Sequence, residues 1–119
     1  LQPSYDLGYN VVTMDEFKER GIKDVINETL EKIGDNPVYI TFDLDSLDAS
    51  VAPAVSNIEP GFTGFTIDEA KELIQAVKNK NVIGGDVVCL MPTKDQKNNI
   101  TSMVAASIMF EIISVIAYN

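Results

Sequence analysis

At 119 residues the chain is long enough to bury one hydrophobic core and too short for several. Nine basic residues against eighteen acidic ones give a net charge of −9, which disfavours unspecific binding to nucleic acid or an anionic membrane and points to cations as partners. The absence of histidine excludes imidazole catalysis and imidazole metal ligands from within this sequence, and the single Cys89 excludes an internal disulfide and suits a reducing, cytoplasmic compartment.

The sequence starts at Leu1, without an initiator methionine or a secretory leader, and reads as a piece of a longer protein. Residues 1–8 carry Pro3 and Gly8 and few apolar positions, so a loop is expected. Tyr9–Val12 has the composition of a short strand. Thr13 and Glu16 stand three apart, as in a capping box, and open a helix that Gly21 interrupts. Beyond it Ile22, Val25, Ile26, Leu30 and Ile33 recur at helical spacing, and Gly34-Asp35-Asn36-Pro37 stops that helix.

Pro37–Phe42 is a β-branched and aromatic run that reads as a strand covered on both faces. It ends on Asp43, Asp45 and Asp48. Continued extension would put Asp43 and Asp45 on one face, where two like charges repel unless a cation lies between them. Two readings follow from these residues alone: a metal site, or turn and cap residues at a strand end.

Residues 46–65 lack periodicity and form a long structured loop marked by Pro53, Pro60 and Gly61. Thr66 and Glu69 repeat the capping-box pattern, opening a helix with Ala70, Leu73, Ile74 and Val77 on its apolar face. Val82–Met91 reads as a second buried strand, whose paired Gly84-Gly85 implies close approach by a neighbour and whose Cys89 is expected to be an inert core residue. Ile100–Ala117 is helical and nearly apolar all round. Interrupted by Glu111 and several serines, it reads as a core helix and not a transmembrane span. The resulting order, β-α-β-loop-α-β-α, is that of an α/β protein with a parallel sheet. Ligands of such sheets bind beyond the carboxyl ends of the strands, where Asp43, Asp45 and the segment from Cys89 to Asp95 lie.

Thr41-Phe42-Asp43-Leu44-Asp45, followed by Ala49 and by Pro53-Ala54, resembles the signature of the ureohydrolases, the arginase and agmatinase group. Only the last signature position differs, with Phe62 for Gly and Gly61 beside it. Glu59-Pro60-Gly61, Gly64-Phe65-Thr66 with Glu69-Ala70, Gly85-Asp86-Val87-Val88 with Pro92, and Ile100-Thr101 with Ala105-Ala106 are similar to further family segments. The resemblance implies an arginase-like three-layer α/β/α fold with helices on both faces of the sheet. Residues 1–119 would be the C-terminal β-α-β-α-β-α part of one domain. It implies hydrolysis of a linear C–N bond of a guanidino compound to urea and an amine, by a water bridging two Mn²⁺ ions, in a homo-oligomer.

Carried over by position, Asp43 bridges the metals, Asp45 binds one of them, and Asp48 has a supporting or turn role. The remaining ligands, histidines and further aspartates, lie in family segments outside this sequence, so this segment alone is expected to be inactive. Cys89 occupies the position of a substrate-facing Glu and Met91 that of an Asn. Two alternatives remain from the sequence. One is a catalytically degenerate subunit of the same family. The other is a Mg²⁺-dependent haloacid-dehalogenase-type phosphatase, whose first motif Phe42–Leu47 also resembles, with Asp43 as nucleophile.

Overall fold

The computed structural model describes residues 1–59 and 61–118. At its centre are two parallel strands, β1 (Val38–Asp43) and β2 (Val82–Val88), connected through α4 (Ile67–Gln75). Three helices precede β1: α1 (Gln2–Asp6), α2 (Met14–Arg20) and α3 (Ile22–Ile33). The long α5 (Ile100–Tyr118) follows β2. Because the strands are parallel, the loops after both of them emerge at the same edge of the sheet.

The helix boundaries follow the sequence signals closely. Thr13 Oγ1 accepts the Glu16 N–H at 3.2 Å and opens α2. Gly21, at φ 87°, separates α2 from α3 in a conformation that a Cβ would oppose. Arg20 clamps this joint through Glu16 (3.0 Å), Asp24 (2.6 Å) and Glu28. At α4 the capping box is complete: Thr66 Oγ1 accepts the Glu69 N–H at 3.1 Å, and Glu69 Oε1 accepts the Thr66 N–H at 3.0 Å.

Four expectations change. Residues 1–8 contain α1, with Pro3 in its first turn, where a missing N–H leaves no hydrogen bond unmade. Tyr9–Val12 is not a strand; no described segment pairs with it, and extended composition without a neighbour's N–H and C=O groups does not make a ladder. β2 ends at Val88, before Met91, because Cys89 turns into the left-handed region (φ 73°) and Leu90 bridges to Val55 instead. Finally, β1 is covered on one face only within this chain. Val38, Ile40 and Phe42 pack inward, whereas Tyr39, Thr41 and Asp43 face out.

The inward face meets a core that includes Leu44, Ile74, Ile108, Ile112 and Val115, with α5 lying on β2 and α4. Gly85 permits this contact. A Cβ there would stand 2.7 Å from Ile112 Cγ2 and 2.8 Å from the Ile40 carbonyl oxygen. The paired glycines thus mark a close approach, as the sequence implies. Helix α5 has a mean hydropathy of 2.0, long and apolar enough by composition to cross a membrane. Its Ile108, Ile112 and Val115 are core residues, while Met103, Phe110 and Ile113 are exposed.

Asp95 holds the start of α5. Its Oδ1 accepts the N–H groups of Gln96 (2.9 Å) and Thr101 (3.1 Å), and its Oδ2 accepts the Ser102 N–H (2.9 Å) and hydroxyl (2.6 Å). These bonds, the Ser102 hydroxyl first among them, lower the carboxyl from 3.8 to about 2. A depressed carboxyl contributes stability that is present above its unfolded value and lost as pH falls through the folded one. The stability advantage of wild type over Asp95→Asn should therefore be constant above about pH 4 and vanish between pH 3.8 and about 2. Urea midpoints measured against pH check this; an advantage that persists at the acid end refutes it.

Candidate metal centre

Asp43 is the last residue of β1, and the chain then coils into a 3₁₀ turn over Leu44–Ser46. Fully buried Leu44 draws the backbone inward at this point. Asp43 Oδ1 accepts the Asp45 N–H at 2.9 Å, and the Ser46 hydroxyl donates to the Asp43 carbonyl at 2.6 Å. The two carboxylates therefore converge through a side-chain-closed turn, and not through the alternation of an extended strand that the sequence suggests. The turn reading of Asp43 holds, and the same turn sets Asp43 beside a second acid, Asp45.

Cys89 completes the cluster. It follows Val88, the register partner of Asp43, so parallel pairing sets the two strand ends side by side. One ligand atom from each of Asp43, Asp45 and Cys89 lies within 4.8 Å of the others. Cys89 is exposed at this edge, not an inert core cysteine, and it adopts a left-handed φ of 73° that a non-glycine residue holds only at some cost in strain. The strand composition before Cys89 suggests burial; its place one residue past the register of Asp43 is what puts it at the edge.

The electrostatics are those of a site short of positive charge. Asp45 Oδ1 is buried and has no hydrogen-bond partner among the described residues. Its carboxyl is raised above the ordinary aspartate value, first by desolvation and then by the negative charges of Asp43 and Glu59. The Cys89 thiol is also raised, chiefly because it is hydrogen-bonded to Asp43, then by desolvation and by the charges of Asp43 and Asp45. An orphaned buried carboxylate oxygen beside a second acid and a thiol is a donor set that fits a divalent cation.

Asp48 stands apart from this cluster. Its Oδ1 accepts the Ser50 N–H (2.9 Å) and hydroxyl (2.6 Å), which lowers its carboxyl below the ordinary value. The loop after it is anchored twice. The Asp48 N–H donates to the Phe65 carbonyl and the Phe65 N–H to the Ser46 carbonyl, both at 2.9 Å. Deeper in, the Ala54 N–H donates to the buried Thr101 hydroxyl (3.1 Å), and the Met91 N–H donates to the Ala54 carbonyl (2.9 Å). The loop thus folds back over the strand edge. It encloses a crevice of about 190 Å³ lined by Asp45, Ser46, Ala49, Glu59 and Phe62 among others. Glu59 is an acid that the sequence singles out only within its motif; Pro60, next to it in that motif, lies outside the described residues. On the outward face of the sheet Asp86 accepts the Tyr39 hydroxyl (2.9 Å) and the Thr41 hydroxyl (2.6 Å), which sets the strand leading to Asp43 against β2.

Residues 2–114 match the Arginase family. The chain belongs to the arginase family. An agmatinase of Escherichia coli O7:K1 is 38% identical over 108 residues, which cover 91% of this chain and 34% of that protein. Among solved structures, the proclavaminate amidino hydrolase of Streptomyces clavuligerus is similar with a TM-score of 0.91 and 33% identity, over 99% of this chain and 39% of that one. The formimidoylglutamase of Bacillus subtilis superposes with a TM-score of 0.85 and 30% identity, over 96% of this chain and 36% of that one. This arginase-family chain spans about a third of the length of the curated relatives it matches. The match runs through both strands and the helices around them, so the Asp43-x-Asp45 motif belongs to an arginase-like α/β fold and not to a dehalogenase-type phosphatase.

Proposed function

We propose that this chain is the carboxyl-terminal part of a single arginase-family domain. In it, Asp43 and Asp45 hold divalent metal for hydrolysis of a guanidino compound, agmatine- or arginine-like, to urea and an amine. The observation that carries the reading is the convergence of Asp43 and Asp45 at the strand edge, with one carboxylate oxygen of Asp45 buried and without a partner among the described residues. Oxygen donors of this kind suit Mn²⁺. A divalent ion bound there supplies Lewis acidity and lowers the pKa of a coordinated water.

The chain's own residues contribute the rest. Asp43 and Asp45 supply negative charge at one point, and Asp43 also fixes the backbone of Asp45. Asp48, bonded to Ser50, shapes the turn that follows. Glu59 adds a further acid above the crevice and favours approach of a cationic guanidinium. Hydrolysis adds water across the linear C–N bond, oxygen to the guanidinium carbon and a proton to the departing amine. Assembly into a homo-oligomer and a cytoplasmic location belong to the same proposal and rest on likeness to bacterial agmatinases.

The intact protein carrying this chain, loaded with Mn²⁺, should bind about two ions per subunit and release urea from guanidino substrates. Metal analysis and a urea assay test this together, and metal-independent turnover would refute it. A second reading, a catalytically silent family member, is favoured by Cys89 standing at a position where the family resemblance expects a Glu. In that case excess Mn²⁺ leaves the protein without bound metal and without turnover.

A further inference from the structure

Cys89 is the one donor of the cluster that an all-oxygen manganese site leaves without a task. Three features bear on it. Its sulfur lies within 4.8 Å of an oxygen of Asp43 and of Asp45, on a segment that β-pairing fixes beside Asp43. Its left-handed backbone departs from the strand, so that the residue stands exposed at the edge and not in the core. The buried Asp45 Oδ1 has no hydrogen-bond partner among the described residues, which leaves it free to accept an ion shared with the sulfur.

We propose that Cys89 is a third protein ligand to the ion held by Asp43 and Asp45. The centre is then a mixed oxygen–sulfur site that favours thiophilic ions such as Zn²⁺ and Co²⁺ over Mn²⁺. The inference rests on the proposed metal role of Asp43 and Asp45 and deepens it. Sulfur and oxygen donors bind a tetrahedral ion at about 2.0–2.3 Å, so small side-chain rotations bring the three atoms onto one ion. When the S–metal bond forms, the thiol proton leaves to solvent, and no oxidant or reductant is needed. A thiolate raises preference for softer ions because its polarisable electrons gain little from a hard ion such as Mn²⁺.

The test uses the intact protein, stripped of metal and titrated with Co²⁺. A thiolate-to-cobalt charge-transfer band in the near ultraviolet should rise in step with the visible d–d bands of the bound ion. In Cys89→Ser the charge-transfer band should vanish while the d–d bands persist, which also shows that the variant is folded. Zn²⁺ affinity in that variant should fall by roughly tenfold or more, and Mn²⁺ affinity by less than about twofold. Co²⁺ d–d bands without charge transfer in wild type, or a band that survives Cys89→Ser, overturn the ligand role alone. A rise in KM with metal affinity and spectrum unchanged assigns Cys89 to the substrate and also overturns it. Absence of any d–d band overturns the metal centre itself, and the inference with it.

Discussion

Replacing Asp43 with Ala should weaken divalent-metal binding in the intact protein by more than the roughly 100-fold that losing a ligand's supporting hydrogen bond costs, and should abolish urea release. The size of the effect comes from three roles in one side chain. The Asp43 carboxylate is a donor of the cluster, it accepts the Asp45 N–H at 2.9 Å, and it lies within 4.8 Å of the Cys89 sulfur. Truncation removes the first and releases the other two groups. Asp45→Ala removes one donor and leaves the turn closed, so its loss of affinity should be the smaller of the two. Asp43→Asn keeps an oxygen for the Asp45 N–H but no charge, and separates the geometric role from the electrostatic one. Calorimetric titration with Mn²⁺ and Zn²⁺ ranks the three variants. Equal affinity in wild type and Asp43→Ala would end the assignment.

The second large effect is on stability and lies at Gly64. A Cβ at this position would be driven onto the Asp48 backbone nitrogen, 2.5 Å from the Leu47 carbonyl carbon and 2.7 Å from Asp48 Cα. All three are main-chain atoms held by the Asp48–Phe65 and Phe65–Ser46 hydrogen bonds, so none can swing aside as a flexible side chain would. Gly64→Ala should cost about 3 kcal/mol, at the upper end for an overpacked site. It should lower the urea midpoint with the slope of the transition unchanged. Gly61→Ala is the control. Its φ of 95° strains any side chain, but no described residue beyond its chain neighbours lies within 4 Å, so about 1 kcal/mol is expected there. Near-equal losses at the two glycines would mean that steric contact with Leu47 and Asp48 is not what Gly64 avoids.

The parts of this fold that could be read from the sequence were those with local causes. Thr13, Gly21, Gly34, Thr66 and Glu69 act on their own backbone or on residues a few positions away, and the helices begin and end where these residues put them. The acid pair was visible for the same reason, since Asp43 and Asp45 are two apart. What escaped depends on residues distant in sequence. Whether Tyr9–Val12 joins a sheet depends on a partner strand, and whether Cys89 is core or edge depends on the register of β2 against β1, in which Asp43 faces Val88. The second face of β1 is not legible in the sequence, because the apolar run Val38–Phe42 does not reveal that Tyr39 and Thr41 spend their hydroxyls on Asp86. Within the site, convergence of Asp43 and Asp45 was expected for the wrong geometric reason, and the isolation of Asp48 follows from Ser50, a neighbour whose hydroxyl carried no signal of its own.

The loop over the strand edge is pinned at its base and at its middle, by the Phe65 pair and by Ala54 with Thr101 and Met91, while residues 56–59 and 61–63 between those anchors are exposed. Anchors and tip are therefore under separate physical constraints. Substitutions at Phe62 or Thr63 can reshape the crevice without removing the hydrogen bonds that close the turn seating Asp43 and Asp45. Under the proposed function, a scaffold of this kind would let substrate preference change at a handful of solvent-facing positions while the acid pair stays in place.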